Sequence, residues 1–319
     1  MASLFSMATV SKNQRQVIEM FSSKSGAARL ALVVVLGLVV LKVVVTVITG
    51  SVSILAQTAD SFLDLFAVAI TFFTISISTK PADENHPFGH GKIENISAIV
   101  QAVLIFTAGG LIIYSAVSRI INEEAIELTE AGIGAMAVSI VVSFLLSRHL
   151  LKVSRAKDSL ALEAIGRNIA ADVYSAAGVL VGLVVIRFTG LVIFDPVIAL
   201  AVSLIIIKSA YTVIRKSFGG LMDVSLPRAE EAEIMSCLKE HGGQLVGFHS
   251  LRTRKAGNQR FIDLHLVMPK NASVEEAHQI CDHLEQDLED RLTNTNVTIH
   301  IEPCTIECDQ CSVPCNIRK

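Results

Sequence analysis

The stretch AQTADSFLDLF, residues 56–66, places two aspartates four residues apart inside a long apolar run. Four residues is about one helical turn, so Asp60 and Asp64 project from one face of a helix. A carboxylate in hydrocarbon is costly unless it is paired, hydrated or neutralised. A second pair with the same spacing, Asn168 and Asp172, lies in ALEAIGRNIAADVYSAAGVL.

Two helices that each present two oxygen ligands can enclose a cation within a membrane. The alternative is that these polar groups only hydrogen-bond between helices. We favour the cation pathway because the two pairs lie at matching depth. Lys42 and Glu163 are further candidates for this pathway, since each is an ionisable group within an apolar segment.

The loop KPADENHPFGHGKIE is rich in residue types that bind metals: Asp83, Glu84, His86 and His90. A glycine-containing loop fixes no geometry between its two histidines. A metal site and a polar turn with solvated histidines therefore both remain open.

Histidines recur in the C-terminal third of the chain. His249, His265 and His300 lie in predicted strands, and Glu302 shares a face with His300 because side chains alternate along a strand. His278 lies on the helix between them. Imidazole together with carboxylate suits a divalent transition-metal ion, so we expect a binuclear site here.

The segment CTIECDQCSVPC holds four of the six cysteines, Cys304, Cys308, Cys311 and Cys315. In a reducing cytoplasm thiolate ligation is favoured over disulfides. The spacing matches neither a zinc ribbon nor the bacterial ferredoxin pattern. Zinc, an iron–sulfur cluster and a disordered tail with spare thiols all remain open.

Long apolar helices must position the membrane aspartates. The chain has 319 residues, of which 51% are hydrophobic, and a mean hydropathy of +0.56, which is typical of a membrane protein. The net charge of −3 gives no indication of nucleic-acid binding. Six segments are long enough to cross a bilayer: 28–50, 52–79, 93–118, 131–150, 160–186 and 191–213.

Lysine and arginine are concentrated before the first span, in the loops between spans 2 and 3 and between spans 4 and 5, and after the last span. The segment NEEAIELTE, between spans 3 and 4, is acidic instead. The positive-inside rule places the basic segments in the cytoplasm. We therefore expect a multi-pass protein of the plasma (inner) membrane with both termini cytoplasmic.

The residues after the last span predict a small cytoplasmic domain with the order α-β-β-α-β and a ferredoxin-like α+β fold. Ser273 and Glu276 have the spacing of a capping box at the start of its second helix. The predicted division is an N-terminal segment (1–27), a six-helix transmembrane domain (28–216), the α+β domain (217–303) and a cysteine-rich tail (304–319).

The chain resembles the cation diffusion facilitator family of divalent-metal/proton antiporters. The resemblance rests on the order of five stretches: ADSFLDL, HPFGHGKIE, the helix with Asn168 and Asp172, GFHSLRTRKAGNQRFIDLHLVM and VTIHIEP. The resemblance covers roughly residues 25–303 and implies a homodimer with a metallochaperone-like cytoplasmic domain. It implies a transport site (Asp60, Asp64, Asn168, Asp172), a loop site (Asp83, His86, His90) and a binuclear cytoplasmic site (His249, His265, His278, His300, Glu302). It also implies a charge pair, Lys92 with Asp223.

The chain departs from the family at two positions. Many relatives, especially zinc transporters, have histidine where Asn168 stands, and a frequent acidic residue is Ile165 here. An all-oxygen ligand set suits manganese or ferrous iron better than zinc, which favours nitrogen or sulfur. Proton coupling then falls on the aspartates, because crowded carboxylates take up a proton as the metal leaves.

The sequence thus predicts a transporter and not an enzyme, which exports a divalent metal ion in exchange for protons. An intramembrane aspartyl protease would need its aspartates on separate helices, one in a Gly-x-Gly-Asp setting, and the chain has no such motif. A membrane-bound metal sensor that no longer transports remains open because Asn168 departs from the family pattern.

Overall fold

The computed structural model describes residues 22–49, 52–122, 130–189, 193–242 and 245–304. The chain divides between Phe218 and Gly219 into two units, which are described separately. The described part of the first unit is built from long helices: α1 (Lys24–Thr49), α2 (Val52–Ser78), α3 (Ile93–Asn122), α4 (Glu130–Lys157), α5 (Leu160–Thr189) and α6 (Phe194–Leu221), the last of which runs into the second unit.

Five of these helices, α1, α2, α3, α4 and α6, are apolar and long enough to cross a membrane within the described residues. The first half of the remaining long helix, α5, carries several polar residues, Glu163, Arg167, Asn168 and Asp172. Large apolar side chains on the helices face outwards, such as Val47 (79% exposed) and Phe188 (85% exposed). Such an exterior fits lipid and not water.

Four helices share one buried cluster. Helix α1 packs on α2 and α4, and α4 packs on α5. Ala31, Ile75, Leu150 and Leu162 lie in this cluster, each almost fully buried. A Cβ atom at Gly166 would lie 3.1 Å from the Leu151 side chain, so glycine allows α4 and α5 to approach closely here.

The second unit contains α7 (Arg228–Glu240), β1 (Gly247–Ala256), β2 (Gln259–Met268), α8 (Val274–Arg291) and β3 (Thr295–Pro303). The strands form one sheet in the order β1-β2-β3, with β1 antiparallel and β3 parallel to β2. The predicted order and fold class are confirmed. The capping box is confirmed too, since Ser273 Oγ accepts a hydrogen bond from Glu276 N–H and Glu276 accepts one from Ser273 N–H.

The two helices of this unit pack on one face of the sheet. Alternate residues of β2 are buried beneath them (Ile262, Leu264, Leu266 and Met268), against Leu238 of α7 and Leu284 of α8, among others. The intervening residues of β2, which include His265, therefore point to the opposite face. That face carries the histidines described below.

Candidate metal sites

The first site joins α2 to α5. Asn168 Nδ2 donates a hydrogen bond of 3.1 Å to Asp64 Oδ1, and the Asp64 and Asp172 carboxyl groups are within hydrogen-bonding reach of each other. Asp60 lies one turn before Asp64 and acts electrostatically on both carboxyl groups. The structure therefore brings Asp64, Asn168 and Asp172 together, whereas Asp60 acts on the two carboxyl groups only electrostatically.

The chemistry of this site is that of oxygen ligands. Asn168 is buried, whereas Asp60 and Asp172 are exposed in the single chain. The Asn168 amide turns its NH₂ group to Asp64. Rotation by half a turn presents Oδ1 instead, which completes a set of oxygen donors of the kind that hard divalent cations prefer.

The positively charged side chain of Lys42 lies beside these carboxylates. Lys42 of α1 donates a hydrogen bond of 2.6 Å to Ser61 Oγ of α2, and its ammonium group acts electrostatically on both Asp64 and Asp172. Lys42 therefore compensates part of the negative charge of the site.

Glu163, the other candidate for the pathway, is held elsewhere. It accepts hydrogen bonds from Arg167 one turn later and from Lys216 of α6, each at 2.8 Å. Arg167 also donates to Ser209 of α6. These contacts join α5 to α6 and give Glu163 a structural role.

Sequence reasoning missed a buried carboxylate, Glu94 in the first turn of α3. It is 1% exposed and accepts hydrogen bonds from Lys24 Nζ (2.7 Å), Ser78 Oγ (3.1 Å) and Ser159 Oγ (2.5 Å). These donors come from the start of α1, the end of α2 and the residue before α5. Glu94 thus joins the ends of α1, α2 and α5, two of which carry Asp64 and Asn168. Its only sequence signal is a lone acid at the start of an apolar helix.

The loop between α2 and α3 brings its three predicted ligands together. Asp83 Oδ1 lies 3.0 Å from His86 Nδ1, and Asp83 Oδ2 lies 3.3 Å from His90 Nε2. The hydrogen bond from His86 lowers the pKa of the Asp83 carboxyl group. Within the described residues, His90 Nδ1 is buried without a hydrogen-bond partner. Three ligand atoms within 4.8 Å of one another are compatible with one divalent ion.

Three histidines form a row across the sheet of the second unit. His249 of β1 pairs in register with His265 of β2, which pairs with His300 of β3. Neighbouring rings lie 5.1 and 4.8 Å apart. Glu302 contacts His249 Nε2 at 3.0 Å and His265 Nδ1 at 2.8 Å, and its pKa is lowered chiefly by the hydrogen bond from His265.

This row offers three imidazole ligands and the Glu302 carboxylate, which contacts two of them, on the face away from the helices. His249, His265 and Glu302 have ligand atoms within 4.8 Å of one another, and His300 Nε2 lies 3.8 Å from Glu302. The arrangement can hold one or two divalent ions.

The remaining predicted residues are not part of this row. His278 lies on α8, which packs on the other face of the sheet, and its Nδ1 is 3.4 Å from Asp282. Cys304 continues the β3 ladder by donating its N–H to Met268 O at 2.8 Å. Cys308, Cys311 and Cys315 lie outside the described residues. Asp223 lies 3.7 Å from Arg254, and its pairing with Lys92 stays a prediction.

Acidic and amide side chains between two helices of an apolar bundle, followed by a histidine-bearing α+β domain, are typical of a membrane transporter for metal cations. Two family models match the chain. The cation efflux transmembrane domain matches residues 28–222, and the cytoplasmic domain of cation efflux proteins matches residues 226–304. The chain therefore belongs to the cation efflux, or cation diffusion facilitator, family.

Curated relatives match over most of their length. An uncharacterised transporter of Synechocystis sp. is 34% identical over 80% of this chain and 83% of that protein. The cation-efflux pump FieF of Salmonella arizonae is 31% identical over 92% of this chain and 96% of the pump.

Two solved structures are similar to part of the chain. CzrB in its Zn form is 40% identical over 25% of this chain and 92% of that one, with a TM-score of 0.25. The metal-bound C-terminal domain of the CzcD transporter from Thermotoga maritima is 24% identical over 25% of this chain and 98% of that one, with a TM-score of 0.24.

Family membership makes the protein a multi-pass membrane transporter and not an enzyme, with metal cations as cargo and a second copy of itself as partner. The predicted family and class are therefore confirmed.

Proposed function

We propose that the protein exports manganese or ferrous iron, with zinc next in preference, from the cytoplasm across the inner membrane in exchange for protons. The single observation that carries this proposal is the contact between Asn168 and Asp64, with Asp172 beside them. It supports one transport site that draws on α2 and α5 together and offers only oxygen ligands.

The choice of ion follows from these ligands. Zinc gains from nitrogen or sulfur donors, whereas manganese and ferrous iron accept oxygen donors readily. The set Asp60, Asp64, Asn168 and Asp172 contains neither donor type that favours zinc.

Proton coupling follows from charge. Carboxyl groups this close together cannot all stay ionised without a cation between them. When the metal ion leaves, a proton on one carboxylate restores the balance, with Lys42 supplying a further positive charge. Metal and proton then alternate at one site, which is the requirement for exchange.

The basic loops support a cytoplasmic position for both termini, and the histidine row would then face cytoplasmic metal. Metal bound by His249, His265, His300 and Glu302 would tighten the dimer and raise transport when cytoplasmic metal is high. His278 lies on the other face of its own sheet, so a ligand role for it requires the site of a second copy. The loop site and the Lys92–Asp223 pair complete the proposed set.

The experiment is ion uptake by proteoliposomes that contain the full chain. Initial rates are compared for Mn²⁺, Fe²⁺, Zn²⁺ and Cd²⁺ in wild type, Asn168→His and the matched control Asn168→Asp, which keeps an all-oxygen set. We expect wild type and the aspartate variant to favour manganese or iron, and the histidine variant to gain zinc transport.

A preference of the wild type for zinc would contradict the choice of ion but leave the transporter intact. Absence of flux for every ion would instead support the rival function, a membrane-bound metal sensor. Asp64→Asn separates transport from leakage, because it removes a central ligand and should abolish uptake of all four ions.

A further inference from the structure

A cysteine, a histidine and an aspartate converge between the two helices of the second unit, away from the histidine row. Cys237 lies in α7, His241 ends the same helix one turn later, and Asp287 lies in α8. One ligand atom of each lies within 4.8 Å of those of the other two. None of these residues belongs to the transport, loop or histidine-row sites.

The local hydrogen bonds leave the imidazole ready to bind a cation. His241 Nδ1 lies 3.0 Å from the Cys237 carbonyl oxygen, which can only accept, so Nδ1 carries the proton. In the neutral ring Nε2 then keeps its lone pair, and it lies 3.3 Å from Asp287 Oδ2. A backbone carbonyl that fixes the tautomer in this way is the usual support for a metal-binding histidine.

Distances and charge fit a tetrahedral divalent ion. Zinc–nitrogen and zinc–oxygen bonds of about 2.0–2.2 Å place two such ligands roughly 3.3 Å apart, as Nε2 and Oδ2 are here. A thiolate and a carboxylate together neutralise a divalent charge. The nearby Arg291 guanidinium is already paired with Glu240, so it does not occupy Asp287.

Solvent reaches the Cys237, His241 and Asp287 cluster from one side only. The Cys237 side chain is fully buried in the core, whereas Asp287 is about half exposed and His241 is 14% exposed. An ion can reach the carboxylate from solvent and close onto the sulfur, with a fourth position left to water. A nucleophilic role for this Cys–His–Asp set is excluded because the fully buried thiol is out of reach of a substrate larger than an ion.

We propose that Cys237, His241 and Asp287 form a binding site for a thiophilic divalent cation such as Zn²⁺ or Cd²⁺. The ion would join α7 to α8 on the helical side of the domain. The site is independent of which ion the membrane domain carries, and it differs from the oxygen-only transport site in chemical class.

The test is a Co²⁺ titration of the full chain in detergent, with the four tail cysteines Cys304, Cys308, Cys311 and Cys315 replaced by serine. This background retains only Cys237 and Cys281 of the six cysteines. Near-ultraviolet sulfur-to-cobalt charge transfer reports thiolate ligands alone, so the oxygen and histidine sites are silent. We expect the band to saturate at the intensity of one cobalt–thiolate bond per chain and to vanish when Zn²⁺ is added.

Single-residue variants show which side chains bind the cobalt ion that gives the band. Cys237→Ser should abolish it, and the matched control Cys281→Ser, at the other buried cysteine of the same core, should leave it unchanged. His241→Gln and Asp287→Asn should each weaken cobalt affinity by about tenfold or more. These two residues are less buried, so their variants decide the question if Cys237→Ser does not fold.

The proposal is overturned if the background protein gives no band, if the band survives Cys237→Ser, or if both His241→Gln and Asp287→Asn bind cobalt as the background does. The cluster would then only be a hydrogen-bonded contact between two helices. Failure of the proposed transport function would leave all of these readings unchanged, because no flux is measured.

Discussion

Replacing Glu94 by glutamine should destabilise the membrane domain strongly. The side chain is 1% exposed, and its main partner, Lys24, is 10% exposed. Glutamine keeps the shape and one acceptor oxygen but removes the charge. Its NH₂ group then faces Lys24, Ser78 or Ser159, all of which donate to Glu94 in the native protein.

The magnitude follows from the burial of this pair. Removing one partner of a buried ion pair costs about 3–5 kcal/mol because the other charge is left uncompensated. We take about 3 kcal/mol, since the serine hydroxyls can turn to accept. For a unit of this size that corresponds to a fall in Tm of roughly 6–12 °C.

The assay is thermal unfolding of the full chain in detergent, followed by far-ultraviolet circular dichroism because the chain contains no tryptophan. Glu163→Gln is the matched control. Its partner Lys216 is 49% exposed, so we expect a loss of about 1 kcal/mol or less. The double variant Glu94→Gln/Lys24→Met should lose clearly less than the sum of the two single variants.

Equal, small shifts for Glu94→Gln and Glu163→Gln would refute the reasoning. Additive losses in the double variant would refute the ion pair itself. In either case the ends of α1, α2, α3 and α5 would be held by apolar packing instead, as in the cluster around Ile75 and Leu162.

Three further predictions concern the sites and one helix cap. Lys42→Met should raise the apparent affinity for metal and slow turnover, because a positive charge beside Asp64 is removed; the KM and maximal rate of uptake measure this. His265→Ala should weaken the metal affinity of the histidine row about tenfold or more, because it removes the central imidazole. His278→Ala should leave the metal affinity of a monomer unchanged. Competition with a chelating dye measures both affinities. The pKa of Glu276 is lowered by the Ser273 backbone N–H, so the stability that its charge contributes is present above pH 4.5 and is lost as the pH falls through the lowered pKa. Glu276→Gln should therefore have a lower Tm than the wild type above pH 4.5, and the two Tm values should converge at lower pH.

Much of the fold follows from local pattern. Apolar length predicts the helices, and alternation predicts the strands. Residue spacing also predicts that Asp60 and Asp64 share a helical face, as do Asn168 and Asp172. It does not predict that Asn168 turns its NH₂ group to Asp64, because that depends on how α2 and α5 pack.

Register is the part that spacing leaves undetermined. His249, His265 and His300 lie in one row because of an irregularity after His249 and because β3 runs parallel to β2, both of which are tertiary features. The sequence grouped His278 with them, but its helix packs on the opposite face of the sheet. Cys237 and His241 show the four-residue spacing of a ligand pair, yet only the packing of α8 brings Asp287 to them.

The most direct test of the central claim is the pH inside proteoliposomes loaded with a pH-sensitive dye, recorded as metal enters. If the oxygen site exchanges metal for protons, Mn²⁺ or Fe²⁺ entry makes the wild-type lumen more alkaline, and Asp64→Asn shows neither metal entry nor a change in pH. Metal entry in the wild type with the lumen pH unchanged would contradict exchange at these carboxylates.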